Sequence, residues 1–176
     1  MQALSLEVRA KKGAFRQRKL IIFIRVNMEI EKEIASNKFE NNHQKVIVNL
    51  IYTYGWLTNQ LKQRLNKHKI TLQQFNILRI LRGQYPRPAT INLLKERMLD
   101  KMSDASRIVE RLVHKGLVYR SINEQDRRAV DIVISERGLE LLKKLDTELS
   151  SKEILEKNIS DEDAGLLSSM LDNMRG

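Results

Sequence analysis

Between positions 103 and 111 the chain carries Ser103, Asp104, Ser106, Arg107 and Arg111. Interleaved with them are Ala105, Ile108, Val109 and Leu112, at the three-and-four spacing of one helical face. The polar set therefore shares the opposite face, with its small side chains at the helix start. A serine hydroxyl both donates and accepts, and an arginine presents a planar fork that pairs with guanine or with a phosphate. Free N–H groups at a helix start also favour phosphate. Asp104 runs against this charge. An acid can accept from a cytosine amine, but the preferred reading is that Asp104 stabilises the first helical turn.

A second polar group follows in Asn123-Glu124-Gln125-Asp126-Arg127-Arg128, between two runs that read as strands. An arginine at a protruding tip suits the minor groove, where negative potential is concentrated. Asp126 is expected to orient an arginine through a salt bridge and to shape the tip. Taken alone, the tip is a solvated turn with two charges. Its place after two helices and between two strands gives it a role. With Thr90 and Lys101 added, the candidate DNA contacts are Thr90, Lys101, Ser103, Asp104, Ser106, Arg107, Arg111, Asp126, Arg127 and Arg128.

These groups must be held by a scaffold. Apolar residues at Ile47, Leu50, Ile51, Tyr54, Leu57, Leu61 and Leu65 predict a long helix over Asn42 to Lys67. A helix so apolar over several turns needs a large covering surface, such as a partner subunit. Thr71 to Gln74 reads as a capping box opening a helix through Leu81. Gly83 and Pro86-Arg87-Pro88 end that helix in a loop. Thr90 caps a helix running to about Met98, and a link of about four residues, Leu99 to Met102, leads to Ser103 as the cap of the next helix. Gly116 is the residue that takes a left-handed conformation after it. Leu117 to Ile122 and Val130 to Ile134 form a hairpin. Ser135 caps a helix with Leu139, Leu142, Leu145 and Leu149 on one face. Ser160 opens a last helix carrying Leu167, Met170, Leu171 and Met174.

The fold class expected is mainly α with a small β-hairpin wing: a winged helix-turn-helix with N- and C-terminal dimerisation helices. Residues 28–176 form a single domain in this reading, with a DNA-binding core at about 71–134 and dimerisation at about 42–67 and 136–176. Residues 1–27 are a basic N-terminal extension. Met28 opens a stretch that resembles an ordinary protein start, so the extension is read either as lying upstream of the native start or as an arm on DNA phosphates.

Charge supports a polyanion partner. The formal net charge is +10, with +6 in residues 1–27, −1 in 28–59, +10 in 60–128 and −5 in 129–176. A concentrated basic region is the footprint expected of nucleic-acid binding. The chain has no cysteine, which excludes disulfides, thiolate metal sites and a cysteine switch. His43, His68 and His114 have no metal-ligand spacing, so no metal or cofactor is expected. The run Leu20 to Ile24 is too short to span a bilayer. No membrane partner is expected, and the expected location is cytoplasmic.

The stretch from Thr71 to about Leu145 resembles the MarR family of winged-helix regulators. The carrying residues are Leu72-Gln73-Gln74-Phe75-Asn76-Ile77-Leu78, then Ser106-Arg107-Ile108-Val109-Glu110-Arg111-Leu112 running to Lys115-Gly116-Leu117-Val118. Asp126-Arg127-Arg128 and Val133-Ile134-Ser135-Glu136-Arg137-Gly138 complete them. The family's Asp-x-Arg wing pattern falls on Asp126 and Arg128, and Ser135 stands where the family usually has threonine. The resemblance implies a homodimer whose N- and C-terminal helices interlock while two winged domains grip a pseudo-palindromic site, recognition helix in the major groove and wing in the minor groove. It also implies a small-molecule effector in many members. Tyr52, Trp56 and Phe75 lie near where such a pocket would form, although aromatics at helical spacing more often belong to a core.

The function expected is therefore a sequence-specific, homodimeric transcriptional regulator acting as a repressor on double-stranded DNA. The alternatives are a winged-helix protein-protein interaction module or a non-specific DNA-binding protein. An interaction module would expose apolar anchors where this sequence places polar and basic residues. An enzyme has little support, because no nucleophile–base pair, phosphate-cradling loop or metal cluster is evident.

Overall fold

The computed structural model describes residues 29–36 and 38–176. The extension read at residues 1–27 falls outside them. The chain divides into two compact units, Met1–Thr53 and Tyr54–Gly176, with the boundary inside a long helix.

In the first unit, α1 (Ile30–Glu33) is a single turn that buries Ile30. Its acids are used locally: the Lys45 ammonium donates to Glu31 and the Tyr52 hydroxyl to Glu33. The bond from Lys45 holds the Glu31 carboxyl below the usual carboxylate range. The long helix α2 (Asn42–Lys67) has the bounds its periodicity predicts. Its first turns leave Val46, Ile47 and Ile51 exposed.

The second unit holds the winged core. Leu65 is fully buried near the end of α2, and Lys69 turns the chain with φ 57°. Helix α3 (Leu72–Gln84) opens on the expected capping box. Thr71 Oγ1 accepts from the Gln74 N–H at 3.2 Å, and Gln74 Oε1 accepts from the Thr71 N–H at 3.2 Å. Helix α4 (Ile91–Arg97) is capped by Thr90, whose Oγ1 accepts from the Leu93 N–H at 3.2 Å. Helix α5 (Ala105–His114) buries Ala105, Val109 and Leu112, with Ile108 half-buried against the same core. Gly116 leaves it at φ 66°.

Strands β1 (Val118–Ile122) and β2 (Val130–Ile134) pair antiparallel, from Val118 opposite Ile134 to Ile122 opposite Val130. Ala89 adds a third, one-residue edge, exchanging two 2.9 Å backbone bonds with Ile132. The sequence read this segment as loop, since a single paired residue carries no period.

Helix α6 (Glu136–Glu148) starts from Ser135, whose Oγ accepts from the Gly138 N–H at 3.1 Å and donates to the Gly116 carbonyl at 2.8 Å. One hydroxyl thus caps α6 and ties it to the end of α5. Gly138 is required by close approach. A Cβ there would lie 2.4 Å from the Leu117 carbonyl oxygen and 2.7 Å from Ile134 Cγ1. Leu142 and Leu145 then enter the core beside Ile77, Leu78, Leu94, Leu112 and Ile132. Arg82 and Asp146 join α3 to α6 through two bonds of 2.7 and 3.0 Å.

The short helix α7 (Ser151–Ile154) precedes α8 (Asp161–Asn173). Ser160 caps α8 as expected, accepting from the Asp163 N–H at 3.1 Å. No residue of α8 is buried, and Leu166, Leu167 and Met170 are exposed. Sequence periodicity missed both α1 and α7, because four residues complete scarcely more than one turn. Among the described residues no helix is long and apolar enough to cross a membrane.

Candidate nucleic-acid interface

Helices α4 and α5 are joined by Met98 to Asp104, a longer link than the four residues expected. Its shape comes from side chains that replace missing backbone partners. Asn76 on α3 accepts from the Leu99 N–H at 3.0 Å. The Asp100 carboxylate accepts from the Met102 N–H at 3.1 Å and from the Ser103 hydroxyl at 2.7 Å. The Ser103 bond, then the Met102 bond, holds the Asp100 carboxyl below its usual range. Lys101 donates to the Glu96 carbonyl, which returns the basic side chain toward the end of α4.

The cap of α5 corrects the sequence reading. Asp104, not Ser103, is the N-cap: its carboxylate accepts from the Arg107 N–H at 3.1 Å. Ser103 is engaged with Asp100, one residue earlier than a cap. Both residues can cap, and spacing alone does not decide between neighbours. The stabilising role preferred for Asp104 is the one found. A carboxylate at this position also balances the positive end of the helix dipole.

Beyond the cap, Ser106, Arg107 and Arg111 are all exposed on the face of α5 opposite its buried residues. Ser106 and Arg107 line a cleft of 420 Å³ with Ile91, Asp104, Glu110 and Arg120. Arg120 lies on β1 and was not singled out in the sequence. Its signal was its outward position in a strand whose first residue alone is buried. Thr90 sits at the start of α4 with its hydroxyl used as a cap.

The wing tip is ordered by an asparagine that composition alone did not reveal. Asn123 Oδ1 accepts from the N–H groups of Gln125 and Asp126 at 2.9 and 2.8 Å. Its Nδ2 donates to both Asp131 oxygens at 3.0 Å. Asp126 Oδ1 accepts from the Arg128 N–H at 2.9 Å. The salt bridge expected from Asp126 is not formed with either arginine among the described residues. Asp126 shapes the tip through the backbone, which leaves the guanidiniums of Arg127 and Arg128 exposed.

Two apolar side chains share this end of the molecule. Leu99 is 86% exposed and Met102 is 94% exposed, on either side of Lys101 in the link. The sequence reading assigned the surface to polar and basic groups and missed them. Tyr52 is exposed and bonded to Glu33, while Phe75 is half-buried with the Arg79 guanidinium 5.9 Å from its ring centre. Among the described residues no group of three or more potential ligands could hold a metal ion.

Two helices joined by a stabilised link, with the second exposing a polar face and followed by a hairpin tipped with arginines, define a winged helix-turn-helix. Residues 70–130 match the model of the MarR family. No curated protein matches the sequence. Among solved structures, a MarR transcription factor from Planctomyces limnophilus is 25% identical, with a TM-score of 0.59, over 78% of this chain and 98% of that one. A mutant MarR from E. coli complexed with operator DNA is 21% identical, with a TM-score of 0.67, over 78% of this chain and 99% of that one. Bordetella bronchiseptica BpsR, described for the regulation of its DNA binding by 6-hydroxynicotinic acid, is 20% identical, with a TM-score of 0.61, over 75% and 99%. The last two likenesses concern the fold.

Proposed function

We propose that this protein is a sequence-specific DNA-binding transcriptional regulator: a homodimeric repressor that places α5 in the major groove and the wing in the adjacent minor groove of a pseudo-palindromic operator. The observation that carries the reading is the pair of free basic groups on rigid supports. Arg107 projects from a capped helix, and Arg127 and Arg128 from a tip fixed by Asn123 and Asp126. Rigid presentation lowers the ordering cost of binding. Ser106 and Arg111 add further contacts, while Thr90, Ser103, Asp104 and Asp126 act mainly by holding the backbone. The core at 71–134 carries the DNA contacts. The exposed apolar residues of α2 and α8 support dimerisation through 42–67 and 136–176, and two-fold symmetry would set the two recognition helices about one turn of DNA apart. The E. coli MarR complex with operator DNA and the ligand-regulated BpsR support a DNA-binding, effector-responsive protein.

Leu99 and Met102 favour a second reading, in which the same end docks onto another protein. Fluorescence anisotropy separates the two. DNA from upstream of the coding region should bind roughly 10³-fold tighter than a random duplex, with affinity falling as salt rises. Replacing Arg107 and Arg128 together by alanine should abolish that preference. Retained preference in the double variant would sink the assignment of these contacts, and no binding by the parent chain at low salt would leave the docking reading.

A further inference from the structure

Leu99 and Met102 are the most exposed large apolar side chains among the described residues, at 86% and 94%. Apolar residues scattered singly over a surface are ordinary. These two instead share the short link that leads into α5, and Met102 stands two residues before the Asp104 cap.

The link fixes the backbone of both residues and satisfies its own polar groups. The Leu99 N–H donates to Asn76 Oδ1 at 3.0 Å, and the Met102 N–H donates to Asp100 Oδ1 at 3.1 Å. Lys101, between them, turns its ammonium back to the Glu96 carbonyl. The Ser103 hydroxyl donates to Asp100 Oδ2 at 2.7 Å. What the link offers outward is therefore hydrocarbon on a held backbone. Asp104 ties it to the first turn of α5 by accepting from the Arg107 N–H at 3.1 Å.

We propose that Leu99 and Met102 read thymine 5-methyl groups in double-stranded DNA, at the edge of the major groove that α5 enters. The inference rests on the DNA-binding reading above and adds to it the kind of base edge recognised. The surroundings call for a polyanion: Arg107 follows on α5, and residues 60–128 carry a net charge of +10. Two hydrocarbon side chains there need an apolar group on that polyanion. In the major groove the thymine methyl is the one such group that the four bases present. Contact between methyl and side chain removes both from water. The unbranched thioether chain of Met102 adapts to where the methyl lies. A docked protein fits less well, because two side chains fall far short of the roughly 1,000 Å² that a specific protein interface buries.

The test uses the full chain and fluorescence anisotropy. The duplex from upstream of the coding region is compared with the same duplex carrying deoxyuridine for every thymidine, which removes only the methyl groups. The parent chain should bind the uracil duplex roughly tenfold or more weakly, since each lost methyl contact is worth about fourfold. The double variant Leu99→Ser/Met102→Ser should bind the thymine duplex weakly to a similar degree and differ less than about twofold between the two duplexes. Its thermal unfolding and the salt dependence of its binding should match the parent's, because no buried or charged residue has changed. Equal binding of both duplexes by the parent overturns the inference. So does a uracil penalty that is undiminished in the double variant, which would place the methyl contacts elsewhere. Unchanged affinity of the double variant for the thymine duplex also overturns it and leaves the pair to a protein partner. Random duplexes with thymine or uracil separate the two readings. A parent that prefers the upstream duplex but ignores methyl groups overturns this inference alone. One with no such preference that still weakens on every uracil duplex overturns the operator alone, and no binding to any duplex overturns both.

Discussion

Helices α6 and α8 look alike in sequence, each with leucines or methionines at three-and-four spacing, yet they end in different surroundings. In α6, Leu142 and Leu145 are completely buried among residues from α3, α5 and β2. In α8 no residue is buried, and Leu166, the most exposed of its large apolar residues, is 57% exposed. The apolar period reports that a face needs cover but not what covers it. In α6 the cover is the chain's own winged core. In α8, Leu166, Leu167 and Met170 find no such cover among the described residues.

The difference can be broken by paired substitutions. Leu142→Ala should cost about 2–5 kcal/mol, the range for emptying a leucine site in a packed core, and urea unfolding would measure it. Leu167→Ser should leave the unfolding of a dilute sample almost unchanged and raise the dissociation constant of self-association, read by sedimentation equilibrium. If Leu167→Ser destabilised the chain as much as Leu142→Ala at every protein concentration, α8 would be core and the contrast would vanish.

Two glycines sharpen the same comparison with one kind of change. Gly138→Ala in α6 forces a methyl into the Leu117 carbonyl and the Ile134 side chain, and should cost about 1–3 kcal/mol. Gly165→Ala in α8 meets nothing within 4 Å. It should stabilise by up to about 1 kcal/mol, because alanine has less backbone freedom to lose in a helix. Opposite signs in thermal unfolding are the expected result. A loss of stability in both would place an unseen neighbour against α8.

The sequence made long elements and caps legible because each leaves a local mark. The bounds of α2 followed from apolar period, and Thr71, Thr90, Ser135 and Ser160 announced four helix starts. Gly116 and the hairpin were equally local. What escaped depended on partners distant in the chain or on choices between equivalent neighbours. Asn76 supports Leu99 across 23 positions, and Lys115 reaches the Lys69 carbonyl across 46. Ser103 and Asp104 are both capping residues, and only the path of the link selects the aspartate. Of the candidate interface, the exposed arginines were legible in type and order. The cleft partner Arg120, the tip organiser Asn123 and the exposed Leu99 and Met102 became visible only when the strands and the link had been folded.

The smallest effect tests how the winged core is tied together by charge rather than by packing. Arg82 donates two bonds to Asp146. Those bonds, more than the attraction of charge alone, hold the Asp146 carboxyl below its usual range against the opposing effect of burial. A carboxyl depressed in the folded state contributes stability that is fully present above its unfolded value, near 4, and is lost as pH falls through the lower folded value. Half of the Asp146 side chain is exposed, so solvent limits the contribution to about 1 kcal/mol or less. Asp146→Asn should therefore lower stability slightly at neutral pH and remove part of the decline on the acid side of pH 4. Arg82→Gln should produce the same flattening, and the double variant should add little to either single change, because both remove one interaction. Strict additivity in a double-mutant cycle would mean that the pair does not couple α3 to α6, leaving packing around Leu142 and Leu145 as the connection that matters.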